Sequence, residues 1–342
     1  MSMKGDELAR TRLTIQRMGR AALAVVLAAA LSPLASCSSD GGAVPMSSSG
    51  SQASGETAAA GNPDDGTTSG PSYTIPEHPA LSEYHADAAT GTELGAFDLS
   101  ALSQGYVGAS GKSDARLKFQ VIKDDMSYNY DLPNDGEPII CPLNMGDGMY
   151  SFRIMQNTSG SNYVEVAAID QAVTLDSEFA PFLIPTVFCD YDESSAVVAK
   201  ARELAAGAAN SGEVVRSIYR WVVENIEYDS AKAKELVDAT GYVPNPDKTL
   251  ETQKGICFDY ASLTGAMLRS LGIPCRVITG YVAPNDLYHA WNMVYIDGQW
   301  TSASFSIDPE SWTRIDLTFA AADAGDSSTI GDATGYTDRY VY

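Results

Sequence analysis

The sequence predicts an α+β protein in which a small antiparallel β domain precedes a domain of helices and sheet. From Tyr73 to about Asp190, apolar residues alternate with period two, as in strands that bury one face. From Asp192 they recur at the spacing of amphipathic helices, and β-branched segments return near Arg276. About 270 residues follow the leader and tether described next, enough for two domains that share an interface.

Residues 1–36 are predicted to be a lipoprotein signal peptide, because a basic stretch precedes the apolar run Ala21–Leu31. The run is too short for a permanent transmembrane helix. The letters LASC follow, end at Cys37 and resemble the lipobox of bacterial lipoproteins. The resemblance implies a diacylglycerol thioether on Cys37 and cleavage before it. An ordinary secretory signal with an incidental cysteine is the alternative.

Residues 37–72 are predicted to be a disordered tether, since Gly, Ser, Thr, Ala, Asp and Pro dominate them. Such a segment buries too little apolar surface to offset its ordering entropy. We therefore expect an exported protein, anchored by its N-terminal lipid to the outer face of the bacterial cell membrane.

The net charge is −22, and it becomes −25 once a leader with five basic and two acidic residues is removed. This acidity argues against nucleic acid as a partner and against adhesion to anionic lipid headgroups. A solvated acidic surface explains it, and a cationic partner surface stays open.

Five cysteines need a role, because disulfides persist in exported proteins. Cys37 is assigned to the lipid. Cys275 lies in an apolar run and is predicted to be a small buried hydrophobe. Cys141 and Cys189 both lie in the first domain and could form a disulfide. Cys257 is left free.

Residues 73–190 form the predicted β-rich domain. Strands are expected at Arg116–Ile122, Tyr150–Ile154 and Tyr163–Ala167, with a turn at 159–162 between the last two. Its two histidines, at positions 78 and 85, have no partners at ligand spacing and are expected at the surface.

Residues 191–342 form the second predicted domain. Helices are expected at Ser194–Ala206, which Gly207 would end, and at Gly212–Ile226. Two prolines and a glycine predict a loop over Tyr228–Thr252.

The next segment carries the chemistry. Gly255 would allow a sharp turn, and Cys257 would then start a helix whose free N–H groups and dipole stabilise a thiolate and an oxyanion. His289 follows on a predicted strand, with Trp291 on the same face. No other histidine occurs after residue 85. A nucleophile and a base would thus come from separate rigid elements.

The motifs around these residues resemble the transglutaminase-like superfamily, a circularly rearranged relative of papain-like folds with a Cys, His, Asp triad. The resemblance covers about residues 213–320 and uses the motifs Gly255-Ile256-Cys257, Tyr260-Ala261, Leu268-Arg269, Leu271-Gly272-Ile273-Pro274, Arg276-Val277, Gly280-Tyr281, His289-Ala290-Trp291-Asn292 and Asp297-Gly298-Gln299-Trp300. It implies a cysteine acyltransferase, peptidase or amidase that acts on peptides or proteins and uses no cofactor.

One position departs from the family pattern. Ser304 stands where most members carry the triad aspartate, four residues after the Trp300 motif. The same spacing recurs from Trp312 to Asp316, as if the strand motif were displaced by a 12-residue insertion. Asp316 is therefore assigned as the residue that orients His289. Asp308 is assigned to a turn.

The expected roles are attack by Cys257, proton transfer by His289 and tautomer control by Asp316. The Cys257 N–H would be one oxyanion donor, and Gln253 is the candidate for a second. The triad does not separate transfer to an amine from hydrolysis by water. A catalytically inactive binding module with the same fold is the competing hypothesis, favoured by the displaced aspartate. No metal site is expected.

Overall fold

The structure, a computed structural model, describes residues 72–236, 239–282, 287–295, 313–315 and 336–342. Within these ranges the chain forms three four-stranded antiparallel sheets, a short parallel ladder and five helices. The strands are β1 Thr90–Thr92, β2 Gly95–Asp98, β3 Tyr106–Gly111, β4 Leu117–Lys123, β5 Met126–Leu132, β6 Ile139–Pro142, β7 Gly148–Ser159, β8 Asn162–Val173, β9 Glu227–Tyr228, β10 Lys254–Gly255, β11 Cys275–Val282, β12 Leu287–Val294, β13 Thr313–Ile315 and β14 Tyr336–Val341. The helices are α1 Ala196–Ala205, α2 Ser211–Asn225, α3 Ser230–Glu235, α4 Pro246–Thr252 and α5 Cys257–Ser270.

The N-terminal half is built from two of the sheets, with strand orders β1-β2-β3-β6 and β5-β4-β7-β8. The three predicted strands are confirmed as parts of β4, β7 and β8. In β4, Leu117, Phe119 and Val121 are buried, as period-two alternation requires. The predicted turn is confirmed too, because Ser159 pairs with Asn162 at the end of the β7–β8 hairpin.

The first two helices were predicted correctly to within two residues. Helix α1 buries Val197, Val198 and Ala201, and Gly207 beyond its end has a φ of 81°. Asn210 caps α2, because its side chain accepts a hydrogen bond from the Glu213 N–H at 3.0 Å. Such a cap satisfies one of the four N–H groups that a helix start leaves unpaired.

The loop predicted for residues 228–252 was wrong in part, since α3 and α4 lie within it. Asp229 caps α3 by accepting hydrogen bonds from the N–H groups of Ala231 and Lys232. Asn245 caps α4, whose first residue is Pro246. Proline is favoured at the first position of a helix, where its missing N–H costs nothing. The proline that predicted a loop in fact begins a helix.

The C-terminal half places α5 against the third sheet, whose order is β13-β12-β11-β14. Helix α5 is buried almost throughout. A Cβ on Gly265 would come within 2.9 Å of the Cys189 sulfur and 3.0 Å of the Val277 side chain, so the glycine permits close packing on both. The helices and this sheet share one hydrophobic core, and the predicted α+β class is confirmed.

Aromatic side chains link the N-terminal sheets to the C-terminal sheet. The ring of Tyr342 lies 5.7 Å from that of Tyr128, 6.2 Å from Tyr130 and 4.7 Å from Phe188, in edge-on geometry. Such pairs stabilise beyond their buried area. The described residues form one compact unit. The domain boundary near residue 190 stays a prediction.

The disulfide that the sequence allowed is absent from the structure, and the two N-terminal histidines differ in exposure. Cys141 and Cys189 are free, buried thiols, so the disulfide considered for them is absent. Cys189 lies against α5 instead, where its sulfur approaches the Ser262 carbonyl at 3.7 Å. His78 is exposed as predicted, whereas His85 is only partly exposed because it is bonded to the buried Asp98.

No helix in the described residues has the length and apolarity needed to cross a membrane. Cys275 is fully buried, which confirms its prediction as a small hydrophobe. Cys37 lies outside the described residues, so its lipidation stays a prediction.

Candidate active site

Cys257 is the first residue of α5 and is half-buried. At this position its N–H has no carbonyl partner within the helix and points toward the space before the helix start. Gly255 does not form the sharp turn that was predicted for it, since it lies in the short strand β10 and has no positive φ. Its role is close approach instead, because a Cβ there would come within 2.6 Å of the Asp259 Cβ.

Asp259 is an important residue that the sequence did not single out. It is fully buried two residues after Cys257. One carboxylate oxygen accepts hydrogen bonds from the Ile256 N–H at 2.8 Å and the Lys232 ammonium at 2.7 Å. The other accepts a hydrogen bond from the Tyr242 hydroxyl. The signal available in the sequence was an acidic residue in the first turn of a predicted helix, where it can cap the start.

His289 lies on β12 and is 5% exposed. Its ring stacks on Trp291 with centroids 6.3 Å apart and planes 27° from parallel. His289 pairs with Gly280 of β11. A Cβ on Gly280 would come within 2.8 Å of the Trp291 ring. The glycine therefore makes room for the tryptophan. Trp291 is 1% exposed, so it packs the sheet, as predicted.

Helix α5 and strand β12 run in the same direction. Near the start of the helix, the Asn292 side-chain amide donates to the Ala261 carbonyl at 2.9 Å. Near its end, the Arg269 guanidinium donates to the Cys275 carbonyl at 2.8 Å, and Cys275 pairs with Val294. Later residues of α5 thus meet later residues of β12.

This shared direction places Cys257 and His289 at the same end of the helix–sheet unit. Cys257 precedes Ala261 by about one helical turn, and His289 precedes Asn292 by three residues on the strand. The fold therefore brings the two predicted residues to one end of this helix–sheet unit from two separate elements.

Strand alternation adds a restriction. Ala290, Asn292 and Val294 face α5, whereas His289 and Trp291 lie on the opposite face. A contact between His289 and Cys257 must therefore form beyond the start of the helix and not across the helix–sheet interface.

Of the remaining predicted site residues, the structure describes Gln253 but not Asp316. The Gln253 N–H is used by its own helix, since it donates to the Thr249 carbonyl at 2.9 Å. Only the exposed Gln253 side chain is left to serve as an oxyanion donor. Asp316 lies outside the described residues, as do Ser304 and Asp308. The strand that precedes it, β13, ends at Ile315 and pairs with β12 at Asn292.

The thiols differ in accessibility. Burial raises the pKa of Cys141 well above its ordinary value, that of Cys189 to about 11 and that of Cys275 to about 12. These three side chains are therefore neutral and shielded at neutral pH. Partial burial raises the pKa of the Tyr228 hydroxyl, and electrostatic interaction with Cys257 raises it further.

Among the described side chains, no three His, Cys, Asp or Glu residues converge as metal ligands would. The described site thus consists of a thiol at a helix start, a buried carboxylate network behind it and a histidine strand beside it.

At this site a cysteine opens a buried helix, and the antiparallel sheet packed on that helix carries a histidine. Residues 198–305 match the family model described as Transglutaminase-like superfamily. The match lies within the second predicted domain and includes both Cys257 and His289.

Two named relatives match parts of the chain. Human kyphoscoliosis peptidase is 37% identical over 98 residues, which are 26% of this chain and 14% of the human protein. A protein-glutamine gamma-glutamyltransferase of Pseudomonas aeruginosa is 33% identical over 117 residues, 30% of this chain and 17% of that protein. Both proteins are thus matched over a small share of their length.

Among solved structures, red sea bream transglutaminase aligns with 12% identity and a TM-score of 0.27, over 62% of this chain and 48% of that chain. The two named relatives include one peptidase and one acyltransferase.

Proposed function

We propose that this protein is a cysteine acyltransferase or amide hydrolase that acts on peptide or protein substrates. The observation that carries the proposal is the position of Cys257 as the first, half-buried residue of a long helix. The helix dipole and the free N–H groups there favour the thiolate and can bind an oxyanion. Each of the other described thiols is buried.

In the proposed mechanism Cys257 attacks an amide carbonyl and forms a thioester. His289 takes up the thiol proton and delivers it to the leaving amine. Asp316 holds the imidazole tautomer through the other ring nitrogen. The support for Asp316 is the tryptophan-to-aspartate spacing in the sequence, together with the pairing of β13 and β12 directly before it. Water or an amine then resolves the thioester.

A pH series of iodoacetamide labelling tests this proposal. Trypsin releases residues 255–269, which contain Cys257 and no other cysteine, so peptide mass isolates its rate. We expect fast labelling at pH 6 in the wild type, and slower labelling in His289→Ala and Asp316→Ala. The thiolate is the reactive form, so fast labelling at acidic pH would report a thiolate that the helix start stabilises.

The competing function is a binding module that keeps the fold without turnover. The observation that favours it is the location of His289 on the face of the sheet turned away from α5. If Cys257 labels no faster than a free thiol and neither variant changes its rate, the result contradicts catalysis and favours the binding module.

We further propose that Cys37 carries a lipid that holds the protein on the outer face of the cell membrane. The support is the basic and apolar leader and the lipobox-like letters before Cys37. In cells that express the full chain, we expect the protein in the detergent phase of a Triton X-114 partition. Cys37→Ser should move it to the aqueous phase, and recovery of that variant in the detergent phase would contradict lipidation.

A further inference from the structure

The buried network around Asp259 poses an electrostatic problem for the proposed nucleophile. A carboxylate lies two residues from Cys257, with no exposure to solvent. A buried negative charge in the same first turn of the helix opposes formation of a thiolate, and burial strengthens such an effect because water screens it less. The same carboxylate is needed, because it accepts the Ile256 N–H at 2.8 Å and so holds the turn that leads into the cysteine.

The structure supplies a matching positive charge. Lys232 of α3 places its ammonium 2.7 Å from the same oxygen, and its side chain is 29% exposed. The ammonium also lies 4.7 Å from the centre of the Tyr242 ring. Burial and the Asp259 carboxylate raise the pKa of Tyr242 far above its ordinary value. It therefore stays a neutral phenol that donates its hydroxyl hydrogen to Asp259.

We propose that Lys232 and Tyr242 act together with Asp259 as positioning residues for Cys257: the carboxylate holds the turn before the cysteine, and the ammonium cancels its charge so that the thiolate can form. This inference rests on the proposed function, because it assigns the network to activation of that nucleophile. It also gives α3, a helix that the sequence did not predict, a role in the site.

Other ionisable groups besides Lys232 and Asp259 also contribute to the electrostatic potential at Cys257. Tyr228, which lies on β9, interacts electrostatically with Cys257 at the start of α5. Glu227 and Lys254 form an exposed pair at 3.2 Å, in which the opposite charges offset each other. The described ionisable groups on the elements around the start of α5 include Glu227, Tyr228 and Lys254 on β9 and β10, Asp229, Lys232, Lys234 and Glu235 at α3, Tyr242, Asp247, Lys248 and Glu251 in and before α4, and Asp259 and His289. Among these side chains, Asp259 accepts the hydrogen bond from the Ile256 N–H before Cys257, and Lys232 is its cationic partner.

The test measures labelling of peptide 255–269 against pH in the full-length protein. Lys232→Met leaves the carboxylate uncompensated, so we expect the midpoint of the labelling curve to rise by about one pH unit. Asp259→Asn keeps an oxygen that can accept the Ile256 N–H but leaves the ammonium uncompensated. We expect its midpoint to fall by about the same amount.

Opposite shifts distinguish an electrostatic role from a structural one, since a loosened turn would move both variants in the same direction. Lys232→Arg keeps the charge and should restore the wild-type midpoint. Lys248→Met is the matched control: it removes one positive charge from the exposed pair with Glu251 on the neighbouring α4, and its midpoint should not move.

If Lys232→Met does not fold, the double variant Lys232→Met with Asp259→Asn provides the measurement. It removes both charges, and its midpoint should lie close to that of the wild type and above that of Asp259→Asn. Shifts in the same direction, or no shift in either single variant, would overturn the inference. Failure of the proposed function has a different signature, in which the wild type labels like a free thiol and His289→Ala changes nothing.

Discussion

Replacing His289 by Ala is expected to slow acylation of Cys257 by about 10²- to 10⁴-fold, the usual contribution of a general base. The buried imidazole lies at the same end of the helix–sheet unit as the cysteine. The other two histidines of the sequence are His78 and His85. The measurement is the release of p-nitrophenol from p-nitrophenyl acetate. This small activated ester reports nucleophile activation without knowledge of the natural substrate.

The control for this prediction is His78→Ala. His78 is exposed and pairs with Glu193 at 2.6 Å. Its replacement should therefore leave the acylation rate unchanged. Equal rates in the wild type and in both variants would show that His289 takes no part in activation. Such a result would favour the binding module, consistent with the location of His289 on the face of the sheet turned away from α5.

The largest expected effect on stability comes from Arg269→Met, which should lower the free energy of unfolding by about 3–5 kcal/mol. The buried guanidinium donates to the main-chain oxygens of Cys275 at 2.8 Å, Ile184 at 3.1 Å and Tyr342 at 2.8 Å. It also donates to the Thr186 hydroxyl at 3.3 Å. Methionine can fill part of the same space but leaves these acceptors without that donor, which costs free energy wherever an acceptor is buried.

Guanidinium chloride unfolding, followed by tryptophan fluorescence, measures this loss. Arg153→Met is the matched control, because Arg153 forms an exposed pair with Glu165 at 3.1 Å. Exposed pairs contribute about 0–1 kcal/mol, so its midpoint should stay near that of the wild type. If both arginine variants unfolded at the same denaturant concentration, the bonds of Arg269 would not be what joins α5 to the ends of β11 and β14.

Local patterns account for the elements that the sequence predicted well. Strand β4 and the β7–β8 hairpin follow from period-two alternation, and α1, α2 and α5 follow from apolar residues at helical spacing. The helices that were missed, α3 and α4, are short and have no apolar stripe long enough to read. Their starts depend on the caps Asp229 and Asn245, which a sequence reading cannot separate from turn residues.

By itself the sequence determined the α+β class, the helix that Cys257 opens and the strand that carries His289, because each depends on neighbours a few positions away. Only the tertiary structure decided that Cys141 and Cys189 do not pair, that Gly255 makes room for Asp259 and that Lys232 reaches this carboxylate from a separate helix. Contacts of this kind join residues distant in the chain, and they are selected by packing and by the need to pair a buried charge.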